Sequence, residues 1–252
     1  MNNFNKVGIS PVFDNGPGKQ RIGLVVLSTD YATERDFRNM LPTDDIAFFV
    51  SRIETSGSVN VDDLSAHKSR LAGAAELILP GGDLDVMAFS CTSATAVIGQ
   101  SGVEKAIHAA RPGIPCVTPI SAALAAFDAL EVNRIAVLTP YIDEVNKVTA
   151  ACLTEAGVNI VAFNGFQIED DHEMAKLSPQ SIAAAAREVD TPEAEAIFIS
   201  CTALRSADVV EELEQALGKP VITSIQAMFW QCLRKLNYKK PIDQYGQLFR
   251  LV

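Results

Sequence analysis

The sequence predicts an α/β protein of two similar parallel-sheet lobes related by a pseudo-two-fold axis, with a site in the cleft between them. Three observations carry this reading. Short apolar runs alternate with helical patterns along the chain, the runs lack the polar–apolar alternation of a half-exposed strand, and the order of motifs in the first half recurs in the second.

The runs are Ile22 to Leu27, Ile46 to Val50, Val86 to Ser90, Pro115 to Thr118, Ile135 to Thr139, Ile160 to Phe163, Ile197 to Ser200 and Val221 to Thr223. Continuous Val, Ile and Leu suit strands of a parallel sheet covered on both faces. Between them, Leu64 to Ala75, Gly102 to Ala110, Ser121 to Leu130, Ile142 to Ala156, Ser181 to Val189 and Ala207 to Leu217 read as helices. Such alternation is the signature of βαβ units.

The repeat is explicit. RIGLVVLSTD (Arg21 to Asp30) is echoed by RIAVLTPY (Arg134 to Tyr141), DVMAFSCTS (Asp85 to Ser93) by AIFISCTAL (Ala196 to Leu204), and IPCVTPISAA (Ile114 to Ala123) by KPVITSIQAM (Lys219 to Met228). Arg21 to Cys91 spans 70 positions and Arg134 to Cys201 spans 67. Two flavodoxin-like lobes follow: residues 21–120 with 224–252, and residues 121–223, after a polar tail over 1–20. Trp230 falls in a C-terminal helix expected on the first lobe.

Bulk properties exclude several classes. The 252 residues are 48% hydrophobic and 21% charged, ordinary for a soluble globular domain, and carry a formal charge of −10. Nucleic-acid and anionic-membrane partners need a basic surface. No run reaches the roughly 18 to 20 apolar residues of a bilayer span, and residues 1–20 lack signal-peptide order. A cytoplasmic location and reduced thiols are therefore expected. The five cysteines (Cys91, Cys116, Cys152, Cys201, Cys232) fit neither a disulfide framework nor a zinc knuckle, and His67, His108 and His172 lack ligand spacing. No metal and no cofactor are expected. The partner is a small-molecule carboxylate, and a homo-oligomer is compatible with the sequence.

In open parallel sheets ligands bind beyond the carboxyl ends of the strands, where Asp30, Cys91, Tyr141 and Cys201 all fall. Each S-C-T is expected where a strand gives way to a helix. There, unpaired N–H groups and the helix dipole would favour thiolate and speed alkylation, and the amides of Thr92, Ser93, Thr202 and Ala203 would cradle a carboxylate. Two thiols across a prochiral carbon can exchange a proton between its faces, or one can add reversibly to an alkene. A lone cysteine ending a strand is usually a small core hydrophobe; repetition in the same setting argues for catalysis at Cys91 and Cys201.

At these residues the sequence resembles the aspartate/glutamate racemase superfamily, in its maleate isomerase and arylmalonate decarboxylase branch. The runs GLVVLSTDYATERDF, FSCTSATAVIG, IEDDHEMA and IFISCTALRS look like the ectoine-utilisation protein A group. The resemblance implies cofactor-independent catalysis, with Cys91 as nucleophile, Cys201 in proton transfer and Tyr141 on a substrate carboxylate. A cysteine pair favours an isomerase or racemase; the alternatives are a maleate cis–trans isomerase, an arylmalonate-type decarboxylase needing one thiol, and a non-catalytic small-molecule binding protein.

The resemblance also exposes a departure. Asp30 and Asp171 stand where maleate isomerases carry asparagines, with a one-residue slip onto Asp170 left open. An ionised Asp only accepts hydrogen bonds, so these positions favour a small amino- or amidino-carboxylate over a dicarboxylate. Asp30 could equally cap a turn. Leu79 to Asp83 reads as a turn, Glu34 as a solvated helix residue, and His172 as exposed.

Overall fold

The structure is a computed structural model describing residue 5 and residues 7–251; residues 1–4 and 6 of the expected polar tail, and residue 252, lie outside the described residues. The first half of the chain runs β1 (Gln20–Leu27), α1 (Thr33–Met40), β2 (Ile46–Ile53), α2 (Val61–Ala66), α3 (Lys68–Leu77), β3 (Val86–Phe89), α4 (Thr92–Ile98), α5 (Gln100–Ala110), β4 (Cys116–Val117) and α6 (Pro119–Ala129). The second runs β5 (Arg134–Thr139), α7 (Asp143–Glu155), β6 (Asn159–Gly165), α8 (Asp171–Lys176), α9 (Pro179–Val189), β7 (Ala196–Ile199), a 3₁₀ turn (Ala207–Val209), α10 (Val210–Leu217), β8 (Val221–Thr223), α11 (Ser224–Lys235) and α12 (Gln247–Arg250).

The two sheets are parallel and have the same topology, β2-β1-β3-β4 and β6-β5-β7-β8. Both central strands of each sheet are covered on both faces, as continuous apolar runs require. Ile22, Leu24 and Val26 with Ile135 and Val137 point into one hydrophobic layer; Val25 and Leu27 with Ala136 and Leu138 point into the other. Two four-stranded parallel sheets in α/β lobes confirm the expected fold class. No helix among the described residues is long and apolar enough to cross a membrane.

The repeated T-P-I-S and T-S-I-Q segments are helix caps. Thr118 and Ser121 exchange reciprocal side-chain to backbone bonds at the start of α6, and Thr223 and Gln226 do so at the start of α11. Such capping boxes satisfy two first-turn donors that the helix itself cannot. The helices they start lie against each other, and Ser121 Oγ donates to Gln231 Oε1 at 3.1 Å. Phe127 of α6 meets Phe198 of β7 edge-on at 5.5 Å, while Phe229 of α11 meets Phe37 of α1 at 4.8 Å. Thus α6, which follows β4, lies against β7 and β8, and α11, which follows β8, lies against α1, β3 and β4, so the pair joins the lobes.

Two expected helices differ. The run Leu64 to Ala75 is broken at His67 into α2 and α3. The amide of His67 donates back to the Leu64 carbonyl at 3.3 Å, while its own carbonyl accepts from the Arg70 amide at 3.0 Å. The run Ala207 to Leu217 opens as a 3₁₀ turn before α10 begins. The segment before β1 holds no helix or strand among its described residues and exposes Val7, Ile9, Val12 and Phe13.

Phe229 is fully buried at the joint between α1, α11 and α12. Phe229→Ala should lower the free energy of unfolding by about 3 to 5 kcal/mol, read from urea denaturation. A loss below 1 kcal/mol would mean this joint is not where the lobes gain stability.

Candidate active site

The same bond ends β3 and β7. The Ser90 amide donates to the Val25 carbonyl and the Ser200 amide to the Leu138 carbonyl, both at 2.8 Å. Each next residue, Cys91 or Cys201, therefore leaves its sheet at the carboxyl edge of a central strand. The two cysteines line one cavity, together with Asp30, Thr92, Ser93, Tyr141, Asp171, Thr202 and Ala203. Every residue expected at the site from sequence is on its wall.

The two thiols are not in equivalent backbone settings. Cys91 is the N-cap of α4, its sulfur accepting from the Ala94 amide at 3.4 Å and lying 3.6 Å from Ser93 Oγ. The amides of Thr92 and Ser93 open that helix and have no intrahelical acceptor. Cys201 does not precede a helix, contrary to the sequence expectation, because Thr202 to Ser206 form an irregular bend. Its sulfur accepts from the Ala203 amide at 3.3 Å, so that amide serves the thiol. Thr202 Oγ1 crosses to the Ser90 carbonyl at 3.2 Å, and Thr92 Oγ1 donates to Ser224 Oγ at 2.9 Å, which ties the S-C-T segments into one scaffold.

Tyr141 is held through Asn146, which the sequence reading did not identify. Thr139 Oγ1 donates to Asn146 Oδ1 at 2.5 Å, and Asn146 Nδ2 donates to the Tyr141 carbonyl at 2.9 Å. The phenol is buried, with its hydroxyl beside the Cys201 thiol and the Ser93 hydroxyl on the cavity wall. Burial, then the neighbouring Cys201 and Cys91 thiols, push its pKa up.

Asp30 caps and lines at once. Its carboxylate accepts from the amides of Ala32 (3.0 Å) and Thr33 (2.8 Å) and from Thr33 Oγ1 (2.6 Å). Burial nevertheless pushes it up to about 6, against the Thr33 bonds and with help from the Asp171 charge. The slip between Asp170 and Asp171 resolves clearly. Asp170 is exposed and caps α8, accepting from the His172 amide at 2.7 Å, whereas Asp171 is 6% exposed and accepts from Thr29 Oγ1. Burial raises the Asp171 pKa too. Glu34 pairs with Arg52 at 2.6 Å; that guanidinium also grips the carbonyls of Leu27 and Asp30, fixing the loop that presents Asp30. His172 is outside the cavity wall, beside Tyr31.

A cover unread in the sequence closes the cavity. The segment between β2 and α2 meets the start of α8: the Val59 amide donates to the Glu169 carbonyl and the Asp171 amide to the Gly57 carbonyl, both at 2.9 Å. Gly57 has a φ of +88°, a conformation that a side chain would strain. Thr55, Ser58, Val59, Leu64 and His67 join the wall from this side. The enclosed space is about 20 Å³, room for about one water. A small-molecule substrate therefore needs more room than this wall leaves.

Enclosure reverses one expectation. Burial pushes Cys91 and Cys201 up to about 12, outweighing the amide bonds to each sulfur. Cys116 is also pushed up to about 12, and Cys152 and Cys232 are raised as well, so the thiolate is not favoured at the S-C-T pair in this closed form. At 4% and 5% exposure, the pair is also less accessible than the half-buried Cys152. Iodoacetamide should accordingly modify Cys152 before Cys91 and Cys201 in native, ligand-free protein, as read by peptide mass spectrometry. Prior labelling of Cys91 or Cys201 would show that the cover opens faster than the reagent reacts.

Comparison with known proteins agrees with this geometry. The arylmalonate decarboxylase family profile matches residues 73–249. An arylmalonate decarboxylase from Bordetella bronchiseptica is 34% identical over 140 residues, which cover 54% of this chain and 58% of that protein. A maleate isomerase from Nocardia farcinica is 27% identical over 246 residues, 92% of this chain and 96% of that one. A solved structure of Nocardia farcinica maleate cis–trans isomerase, a Cys-to-Ser mutant with a covalently bound succinylcysteine intermediate, superposes with a TM-score of 0.84 at 24% identity, covering 92% of this chain and 98% of that one. The chain belongs to the arylmalonate decarboxylase family.

Proposed function

We propose that this chain is a cofactor-independent isomerase or racemase in which Cys91 and Cys201 act as a pair on a small amino- or amidino-carboxylate, within the breakdown of ectoine. The observation that carries this reading is the convergence of two thiols and two carboxylates, the half-buried Asp30 and the buried Asp171, on one cavity. The succinylcysteine intermediate of the Nocardia farcinica enzyme supports covalent work by a cysteine on this fold.

The chemistry follows from placement. A substrate carboxylate takes the Tyr141 hydroxyl and the first amides of α4. A cationic nitrogen pairs with Asp30 or Asp171, and that charge-assisted contact is stronger than a neutral one. One cysteine, once deprotonated, removes the proton from the carbon between these groups while the other thiol donates to the opposite face. The two sulfurs exchange protonation states at each turnover. The buried neutral thiols of the closed form need an ionising event on substrate binding, which a cationic substrate nitrogen would assist by offsetting the local negative charge.

A maleate-type reading is favoured by a specific observation, the raised pKa of Asp30. A protonated carboxyl can donate a hydrogen bond as an asparagine does. In this second reading a thiolate adds to the alkene, the former double bond rotates, and the thiolate leaves.

The readings differ in the sign of their pH dependence. A cationic substrate needs ionised Asp30, so its binding should strengthen as pH rises through about 6. A dicarboxylate needs protonated Asp30, so its binding should weaken over the same interval. Asp30→Asn should weaken a cationic acid by roughly ten- to a hundred-fold and improve tolerance of maleate. The direct test is incubation of ectoine and its derived amino acids, and separately maleate, in D₂O, with NMR and chiral chromatography across pH 5 to 8. Exchange at the α-carbon of a cationic acid supports the first reading. Efficient conversion of maleate that declines above pH 6, with no exchange in the amino acids, contradicts it.

A further inference from the structure

One side chain on the cavity wall has no role in the chemistry above. His67 is 1% exposed, and neither ring nitrogen has a hydrogen-bond partner. It sits where α2 ends and α3 begins, and it lines the cavity together with Leu64 and Val59. The other polar side chains from this part of the chain are engaged: Ser58 Oγ donates to Glu169 at 2.6 Å, and Thr55 Oγ1 accepts from the Gly57 amide at 3.4 Å. Burying a polar group with no partner is unfavourable, and an apolar ring of similar shape would be more stable there.

We propose that His67 is a specificity-determining residue, whose imidazole hydrogen-bonds an uncharged polar group, a carboxamide or similar, on the part of the substrate that meets the wall between β2 and α3. The proposal rests on the reading of this cavity as the active site and adds a substrate feature that the thiols do not require. Burial, reinforced by Arg70 and opposed by Asp63, pushes the imidazole down to about 4, so at neutral pH it offers one donor and one acceptor and no charge. A cationic substrate group finds its partners in Asp30 and Asp171, and the substrate carboxylate finds its own in Tyr141 and the first amides of α4, so neither needs the imidazole. An uncharged hydrogen-bonding group is what a neutral, buried imidazole on this part of the wall is suited to recognise.

Isosteric ligand pairs test this. Asparagine and leucine, in both enantiomers, differ in shape very little and in polarity only at one end; succinamate and 4-methylpentanoate form the same pair without the amine. Calorimetric titration should show the amide member binding at least about tenfold more tightly in one of the pairs. In His67→Phe that ratio should fall to about one, while Tm rises by roughly 2 to 8 °C because an orphaned polar group is gone. Equal affinity within both pairs, no binding by any probe, or a preference that survives His67→Phe would overturn the proposal. A lower Tm for His67→Phe would assign the residue to packing and overturn it as well. The same probes, tested for protection of Cys91 and Cys201 against slow alkylation, separate the two layers. Protection without amide preference removes the role of His67 alone, whereas binding without protection puts the ligand elsewhere and removes the active-site reading with it.

Discussion

In both lobes the amide of the serine before the catalytic-candidate cysteine donates to a carbonyl of the neighbouring central strand, Ser90 to Val25 and Ser200 to Leu138. The ladder ends there, and the residue that follows must leave the sheet at its carboxyl edge. Because the strands are parallel and the strand order is the same in both sheets, the two exits are equivalent within their lobes. The paired helices α6 and α11 then join the lobes, and the Thr202 hydroxyl bridges to the Ser90 carbonyl so that both S-C-T segments share one wall. The position of every other site group depends on this arrangement.

Enclosure sets the electrostatics. Closing the space to about 20 Å³ raises the thiols, Tyr141, Asp30 and Asp171 together, since burial penalises the charged form of each. At neutral pH the ligand-free cavity therefore holds its two thiols and Tyr141 neutral, while Asp30, at about 6, is largely ionised. A charged ligand changes that balance, and the sign of its charge decides which groups ionise. The identity of the substrate and the activation of the thiols are in this sense one question.

Much of this was legible in the sequence for a physical reason. Strands buried on both faces must be uniformly apolar, so the central strands could be read directly, and the half-buried edge strands β2 and β6 were apolar enough to be read with them. Asp30, Tyr141 and both cysteines follow strands at the carboxyl edge, where a ligand site must lie. Local signals failed where tertiary contacts decide. Asp170 and Asp171 are adjacent acids, and only the contact with Thr29 separates the buried one from the helix cap. The helical periodicity of Leu64 to Ala75 continues through His67, although the backbone breaks there. The bend after Cys201 defeats an analogy with Cys91 that the shared S-C-T invites, and the pKa of each thiol depends on a cover whose strands and helices lie far apart in the chain.

The central claim is that two thiols, not one, do the chemistry. Cys91→Ser and Cys201→Ser keep the shape of the cavity and remove one sulfur each. With the substrate identified by deuterium exchange, each variant should lose about 10²- to 10⁴-fold in kcat while its melting temperature stays near that of the parent protein. Full turnover retained by either variant would contradict a paired mechanism, and retention by Cys91→Ser alone would return the chain to decarboxylase-like use of a single cysteine.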